Sequence, residues 1–222
     1  MISIQENIRS FDTLLQDTSC KLIAVTKTKP IEMLMQAYEA GSKRFGENKV
    51  QEMVEKYEQL PKDIEWHLIG HLQSNKVKYI APFVSMIHSI DSLKLLQEVD
   101  KQAKKYNKII PCLLQIHIAE EETKFGLSYQ EAEELLQSSG LSVLKNITIA
   151  GLMGMATFTD NQEHIRQEFR GLKLFFEQMK RKTLPAQVKL TELSIGMSGD
   201  YQIAIEEGST LIRVGSSIFG AR

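Results

Sequence analysis

The 222-residue chain is poor in the features that mark secreted, metal-binding and membrane proteins. It has two cysteines, Cys20 and Cys112, with neither metal-ligand spacing nor the density of a disulfide framework. Cys112 lies inside the apolar run 109–118 and reads as a buried thiol. No stretch approaches the roughly 20 apolar residues that span a bilayer. The N-terminal MISIQENIRSFDTLLQD carries acidic and polar residues where a secretion signal requires an apolar run. Charge of neither sign dominates: 27 Lys+Arg against 28 Asp+Glu leave a net charge of −1. That excludes the basic footprint of a nucleic-acid binder and the polybasic arm that seeks anionic lipid. No Pro/Gly/Ser-rich linker, charge run or low-complexity segment divides the chain. The expectation is a cytoplasmic protein with one domain over 1–222, no nucleic-acid or membrane partner, and nothing that demands assembly beyond a monomer.

What is present is a hydrophobic fraction of 42% and a period that keeps switching between short apolar runs and amphipathic stretches. Residues 3–16 place Ile4, Ile8, Phe11 and Leu15 on one helical face. Strand-like runs then follow at 21–26, 43–48, 65–70, 84–90, 109–118, 146–153, 188–196 and 210–215. Helical patterns separate them: Pro30 opens one that Gly41 ends, and 73–80 reads as a short helix. Asp91 or Ser92 caps another, and the pairs Ser128/Glu131 and Asp160/Glu163 have capping-box spacing. Runs that are apolar throughout suit strands covered on both faces. Eight β-α units with an extra helix in front predict a single (β/α)8 TIM barrel, with an open doubly wound sheet as the alternative.

Polar and glycine-rich residues gather where the strands end, which is the functional face of such a barrel. Strand one ends in Thr26-Lys27, strand two in Gly46-Glu47-Asn48, and strand three in Gly70-His71. Strand seven ends in SIGMSGD (194–200) and strand eight in VGSSIFG (214–220). Loops after strands seven and eight that lead into short helices suit a phosphate group, because glycines admit the anion to backbone N–H groups. Their plainer reading is a pair of tight turns. Lys27 alone reads as a solvated loop lysine. Opposite phosphate loops it becomes a desolvated amine able to form a Schiff base. Arg213 lies between Ile212 and Val214 within a strand. It is either a buried partner of Glu47 or Asp200, or a cation set against a pyridine nitrogen. Phosphate loops, a Schiff-base lysine and that arginine together describe a pyridoxal 5′-phosphate site.

The segments AVTKTKP (24–30), FGENKVQE (45–52), WHLIGHLQSNK (66–76), HSID (88–91), KFG (124–126), LSIGMSGD (193–200) and GSTLIRVGSSIFGAR (208–222) resemble the pyridoxal phosphate homeostasis family along nearly the whole chain. The resemblance implies the barrel of bacterial alanine racemases without their second domain. It implies Lys27 as the covalent attachment point, Ser194, Gly215 and Ser216 at the phosphate, Arg213 at the pyridine nitrogen and Asn48 near the ring. Many members carry threonine where this chain has Ser216, and either hydroxyl can donate to phosphate. The implied role is a carrier that stores, buffers or delivers pyridoxal phosphate, with apo-enzymes as recipients. A weak amino-acid racemase is the alternative, but no carboxylate or tyrosine at a clear position supplies the second base. A phosphosugar-type barrel enzyme is a third reading. His67 and His71 flank the third segment, where His71 reads as a packed or solvated rim residue or an acid–base group. Glu120-Glu121-Glu122 reads as a solvated loop or a lid.

Overall fold

The computed structural model describes residues 3–120 and 125–220. Eight strands, β1 (Lys21–Val25), β2 (Arg44–Glu47), β3 (Glu65–Leu68), β4 (Met86–Ile90), β5 (Ile110–Ile116), β6 (Ile147–Gly154), β7 (Val188–Ser194) and β8 (Leu211–Val214), follow one another around a closed barrel. Every neighbouring pair is parallel, including β8 with β1. The expected eight-unit barrel is therefore the fold, and the open sheet is excluded.

The outer ring holds α1 (Ile4–Leu15), α2 (Ile31–Glu39), α3 (Val50–Gln59), α4 (Val77–Ile80), α5 (Leu93–Lys105), α6 (Tyr129–Gln137), α7 (Ser139–Ser142), α8 (Gln162–Lys180), α9 (Tyr201–Glu206) and α10 (Ser216–Phe219). Alternate strand residues face opposite sides, so the barrel has two apolar layers. Ile23, Leu113, Ala150, Met153 and Leu211 fill a small cluster of their own inside. Ala24, Phe45, Trp66, Leu114 and Leu152 join the large cluster between strands and helices, where the Phe45 and Trp66 rings meet edge to face at 5.9 Å.

The helix ahead of the first strand has a structural job. The helix after β8 is only four residues long, too short to cover the β8–β1 seam. α1 packs beside both α2 and α10 and fills that part of the ring. Its stripe Ile4, Ile8, Phe11 and Leu15 is buried, and Asn7 Nδ2 donates to the carbonyl of Ile218 at 2.9 Å. Ser3 and Glu6 form a full capping box at its start.

Two local expectations change, and the structure decides between two caps that the sequence left open. The cap of α8 is Asn161, whose side chain accepts from the His164 N–H, rather than Asp160 one residue earlier. The stretch 73–80 divides into a 3-10 turn over Ser74–Lys76 and the single α-turn of α4. Ser92, not Asp91, caps α5.

Ile8 is fully buried while Leu14, on the same helix, is 43% exposed. Ile8→Ala should cost about 2–5 kcal/mol in urea unfolding, as truncations of buried aliphatic residues do. Leu14→Ala should stay within about 0.5 kcal/mol of the parent. Equal losses would mean that α1 is not part of the ring.

Candidate functional site

A cavity of about 420 Å³ opens at the C-terminal ends of the strands, inside the range of about 300–1,000 Å³ that small-molecule sites occupy. Lys27, Asn48, Arg213, Gly215 and Ser216 all line it, although β1, β2 and β8 contribute them from opposite ends of the chain. The register explains the meeting. Ile23 lies beside Arg213 and Ala24 beside Val214, so the loop after β1 emerges next to the loop after β8. A second amine, Lys29, also lines the cavity, but its Nζ donates to the carbonyls of Phe219 at 3.3 Å and Gly220 at 3.1 Å.

Asn48 occupies its place because of Gly70. A Cβ at Gly70 would fall 2.5 Å from the Asn48 carbonyl oxygen, so only glycine lets the turn after β3 pass this close. Asn48 Oδ1 is buried and has no hydrogen-bond partner among the described residues, an arrangement that a bound ligand would resolve.

The loops after β7 and β8 are joined by Ser198. Its Oγ accepts from the N–H of Gly215 at 3.1 Å and of Ser217 at 3.5 Å. Among the described residues no hydrogen bond uses the backbone N–H of Ser198, Gly199 or Ser216. Three such donors and two hydroxyls on one wall suit an anion with several acceptor oxygens. A Cβ at Gly215 would press on Val25 at 3.3 Å, so this glycine also keeps β8 close to the strand that leads to Lys27.

Ser194 is placed differently from the other expected residues. It is fully buried and does not line the cavity. Its hydroxyl belongs to a chain of polar groups inside the barrel. Arg213 Nη1 donates to Ser194 Oγ at 2.6 Å and to its carbonyl at 2.7 Å, and Nη2 donates to the Gly154 carbonyl at 3.0 Å. Ser194 Oγ then meets His88 Nδ1 at 3.0 Å, and His88 Nε2 meets His67 Nδ1 at 2.9 Å. Arg213 makes no ion pair with Glu47, which is held by Lys56 at 2.7 Å. Burial lowers Arg213 to about 10, opposed by the pull of Asp200, so it remains a cation at neutral pH.

Counting donors fixes the direction of this chain. Arginine only donates, so Ser194 Oγ accepts from it and gives its own hydrogen to His88 Nδ1. His88 then carries its proton on Nε2 and donates to His67 Nδ1, leaving one unpartnered group, His67 Nε2–H. The reverse direction would leave two, the serine hydrogen and His67 Nε2. Both imidazoles are neutral: burial, with the charges of Arg44 and Lys21, takes His67 down to about 3, and burial, then His67 and Arg213, takes His88 well below its ordinary value.

His71 stands at the rim, stacked on Phe125 with ring centroids 4.9 Å apart and Nδ1 3.6 Å from Asp91 Oδ2. It does not line the cavity. Of the acidic run, Glu120 is exposed and donates its N–H to Thr157 Oγ1 at 3.0 Å. Glu121, Glu122 and Lys124 lie outside the described residues. The site residues that sequence reasoning passed over are Ser198 and His88. Ser198 stood in the SIGMSGD motif and His88 opened the HSID segment, but nothing in the sequence joined His88 to Ser194.

The depressed histidines set a pH dependence. Unfolded, each titrates near 6.5 and so binds protons that the folded barrel refuses. Stability is therefore full above about pH 6.5 and falls as the pH drops toward 3. His67→Met should flatten the loss by up to about 1.4 kcal/mol per pH unit, one proton's worth, in urea unfolding between pH 6 and 4. An identical slope in parent and variant would show that His67 is not buried as a neutral base.

The family model described as "Alanine racemase, N-terminal domain" matches residues 2–222. A pyridoxal phosphate homeostasis protein of Aquifex aeolicus is 40% identical over 207 residues, covering 93% of this chain and 89% of the relative. The human protein of the same name is 37% identical over 91% of this chain and 76% of its own. PipY of Synechococcus elongatus, a structure with pyridoxal phosphate bound, superposes with a TM-score of 0.87 at 35% identity, covering 98% of this chain and 100% of PipY. Alanine racemase of Bartonella henselae shares the barrel alone, at a TM-score of 0.71 and 17% identity over 99% of this chain and 60% of the racemase. The strand-end cavity and these full-length matches lead to one conclusion: the chain belongs to the pyridoxal phosphate homeostasis family, built on the alanine racemase N-terminal domain.

Proposed function

We propose that this protein holds pyridoxal 5′-phosphate as a Schiff base on Lys27 and serves as a cytoplasmic carrier that stores, buffers or delivers it to apo-enzymes. The observation that carries the reading is the convergence on one cavity of an amine, a buried cation and an anion-binding wall. The cofactor supplies an aldehyde, which condenses with a lysine amine. Lys27 is the choice of amine, since it directly follows the strand that runs beside β8, whereas Lys29 Nζ donates to the carbonyls that end α10. Ser198, Ser216 and the open N–H groups beside them would take the phosphate. Asn48 would lie against the ring. Arg213, held in place by Ser194 and Gly154, would set its charge at the pyridine nitrogen and keep that nitrogen unprotonated. A neutral pyridine draws electrons weakly, which disfavours the carbanion chemistry of transaminases and decarboxylases.

The cavity's composition points the same way. Among the described residues that line it there is no tyrosine and no histidine, and the one carboxylate, Asp200, accepts the N–H of Met197 at 2.5 Å at the start of α9. His71, stacked on Phe125 at the rim, does not line the cavity. A weak racemase is the reading that this arrangement disfavours.

Purified protein mixed with pyridoxal phosphate should turn yellow, and borohydride should fix the label on the peptide that contains Lys27. Lys27→Ala should lose both signals; a label on Lys29 or elsewhere would overturn the assignment. Arg213→Gln should move the pH at which the yellow band titrates, and an unchanged titration would remove Arg213 from the ring nitrogen. Loaded protein given single-enantiomer amino acids should produce no measurable racemate, whereas steady turnover would defeat the carrier reading.

A further inference from the structure

Lys27 sits in a strained turn that is gripped from behind. The Lys29 N–H donates to the Thr26 carbonyl at 3.1 Å, which makes 26–29 a β-turn with Lys27 second and Thr28 third. Thr28 has φ +63°. A turn with positive φ at its third residue normally has glycine or asparagine there, and a β-branched residue in that region is an outlier. Something outside the turn must hold it.

That holder is a buried ionic cluster on the outer side of the barrel wall, between β1, β2 and α3. Lys56 is 7% exposed, and its Nζ has three acceptors at 2.7 Å: the Thr26 carbonyl, Glu47 Oε1 and Glu52 Oε1. Glu52 Oε1 also accepts the Thr28 N–H at 2.5 Å, and Glu47 Oε1 accepts the Thr26 hydroxyl at 2.6 Å. An ammonium has three hydrogens, so every one is spent. The residue before Lys27 and the residue after it are thus tied to the same buried cation, the first directly and the second through Glu52. None of Lys56, Glu47 and Glu52 lines the cavity.

We propose that Lys56, with Glu52 and Glu47, is a positioning device that locks the 26–29 turn and so fixes the approach of the Lys27 amine to its aldehyde. The proposal rests on the Schiff-base reading above. In the step it serves, the Lys27 amine adds to the aldehyde carbon, the C=O bond is replaced by C=N, and water leaves. The cluster takes no part in that exchange. It acts by keeping Thr28 in a conformation that the turn would otherwise abandon.

The test compares two ligands on the full chain. Pyridoxal phosphate reports attachment through the rate at which its yellow band forms. Pyridoxine 5′-phosphate lacks the aldehyde and reports phosphate and ring binding alone. Lys56→Met should slow attachment at least about tenfold, the scale expected when a reacting group is misplaced by a fraction of an ångström to an ångström. The affinity for pyridoxine 5′-phosphate should stay within about twofold. Adding Thr28→Gly, which needs no help to hold a positive φ, should recover much of the rate. A change in both ligands alike, or no rescue by glycine, would reduce Lys56 to a general stabiliser and overturn the proposal. An unchanged rate would do the same. Should Lys56→Met fail to fold, Glu52→Gln carries the same comparison, because it weakens the hold on Thr28 and leaves the buried ammonium two other acceptors. Borohydride mapping of the parent separates the two readings: a label absent from Lys27 defeats the Schiff-base reading, and a label there with no effect at Lys56 defeats only this one.

Discussion

The mouth of this barrel depends on the register in which the first strand meets the last. Lys21 pairs with Leu211 and Ala24 with Val214, and the ring closes there. Side chains alternate along each strand, so a slip of one residue would turn Arg213 out of the barrel and Ile212 into it. With the register as it is, the arginine enters the cavity and the loop that carries Lys27 emerges beside Gly215 and Ser216. The rest of the molecule holds that seam in place: α1 covers it, Asn7 ties it to the last helix, and Val25 packs against Gly215.

Inside the ring, apolar and polar side chains divide the space. Ile23, Leu113, Ala150, Met153 and Leu211 form a dry plug, and His67, His88, Ser194 and Arg213 form a hydrogen-bonded line. Burying an arginine is costly unless its hydrogens are satisfied. Two carbonyls and a hydroxyl satisfy part of the fork and orient it, while the guanidinium keeps its charge for whatever fills the cavity.

The barrel was legible in the sequence because short apolar runs recur eight times, those of β4, β5 and β6 buried along nearly their whole length, and the longer intervening helices carry stripes of their own. Most of the cavity was legible too, since residues at strand ends follow from knowing where strands stop. The exceptions have physical causes. Ser194 and Ser198 are four residues apart at the end of β7, and only the three-dimensional course of the chain decides which is swallowed by the barrel and which reaches the cavity. The partners of the inner polar line are 21, 106 and 19 residues apart, with no local pattern to announce them. Lys56 falls among Val50, Met53, Val54 and Tyr57 on an amphipathic helix, where a lysine reads as solvent-facing until its three buried acceptors are seen. Asp160 and Asn161 are both good caps, and the sequence alone does not choose between them.

The closure of the first strand against the last also governs when the molecule can become itself. During synthesis, β1 through β7 emerge with two unpaired sheet edges, and nothing local can satisfy the edge of β1. Only when residues 211–219 have left the ribosome can the final strand and its short helix insert, and the contact they make is nearly as long-range as the chain permits. The same insertion delivers Arg213, Gly215 and Ser216 to the cavity. A chain that stops short of them lacks that wall of the cavity and the strand that closes the ring.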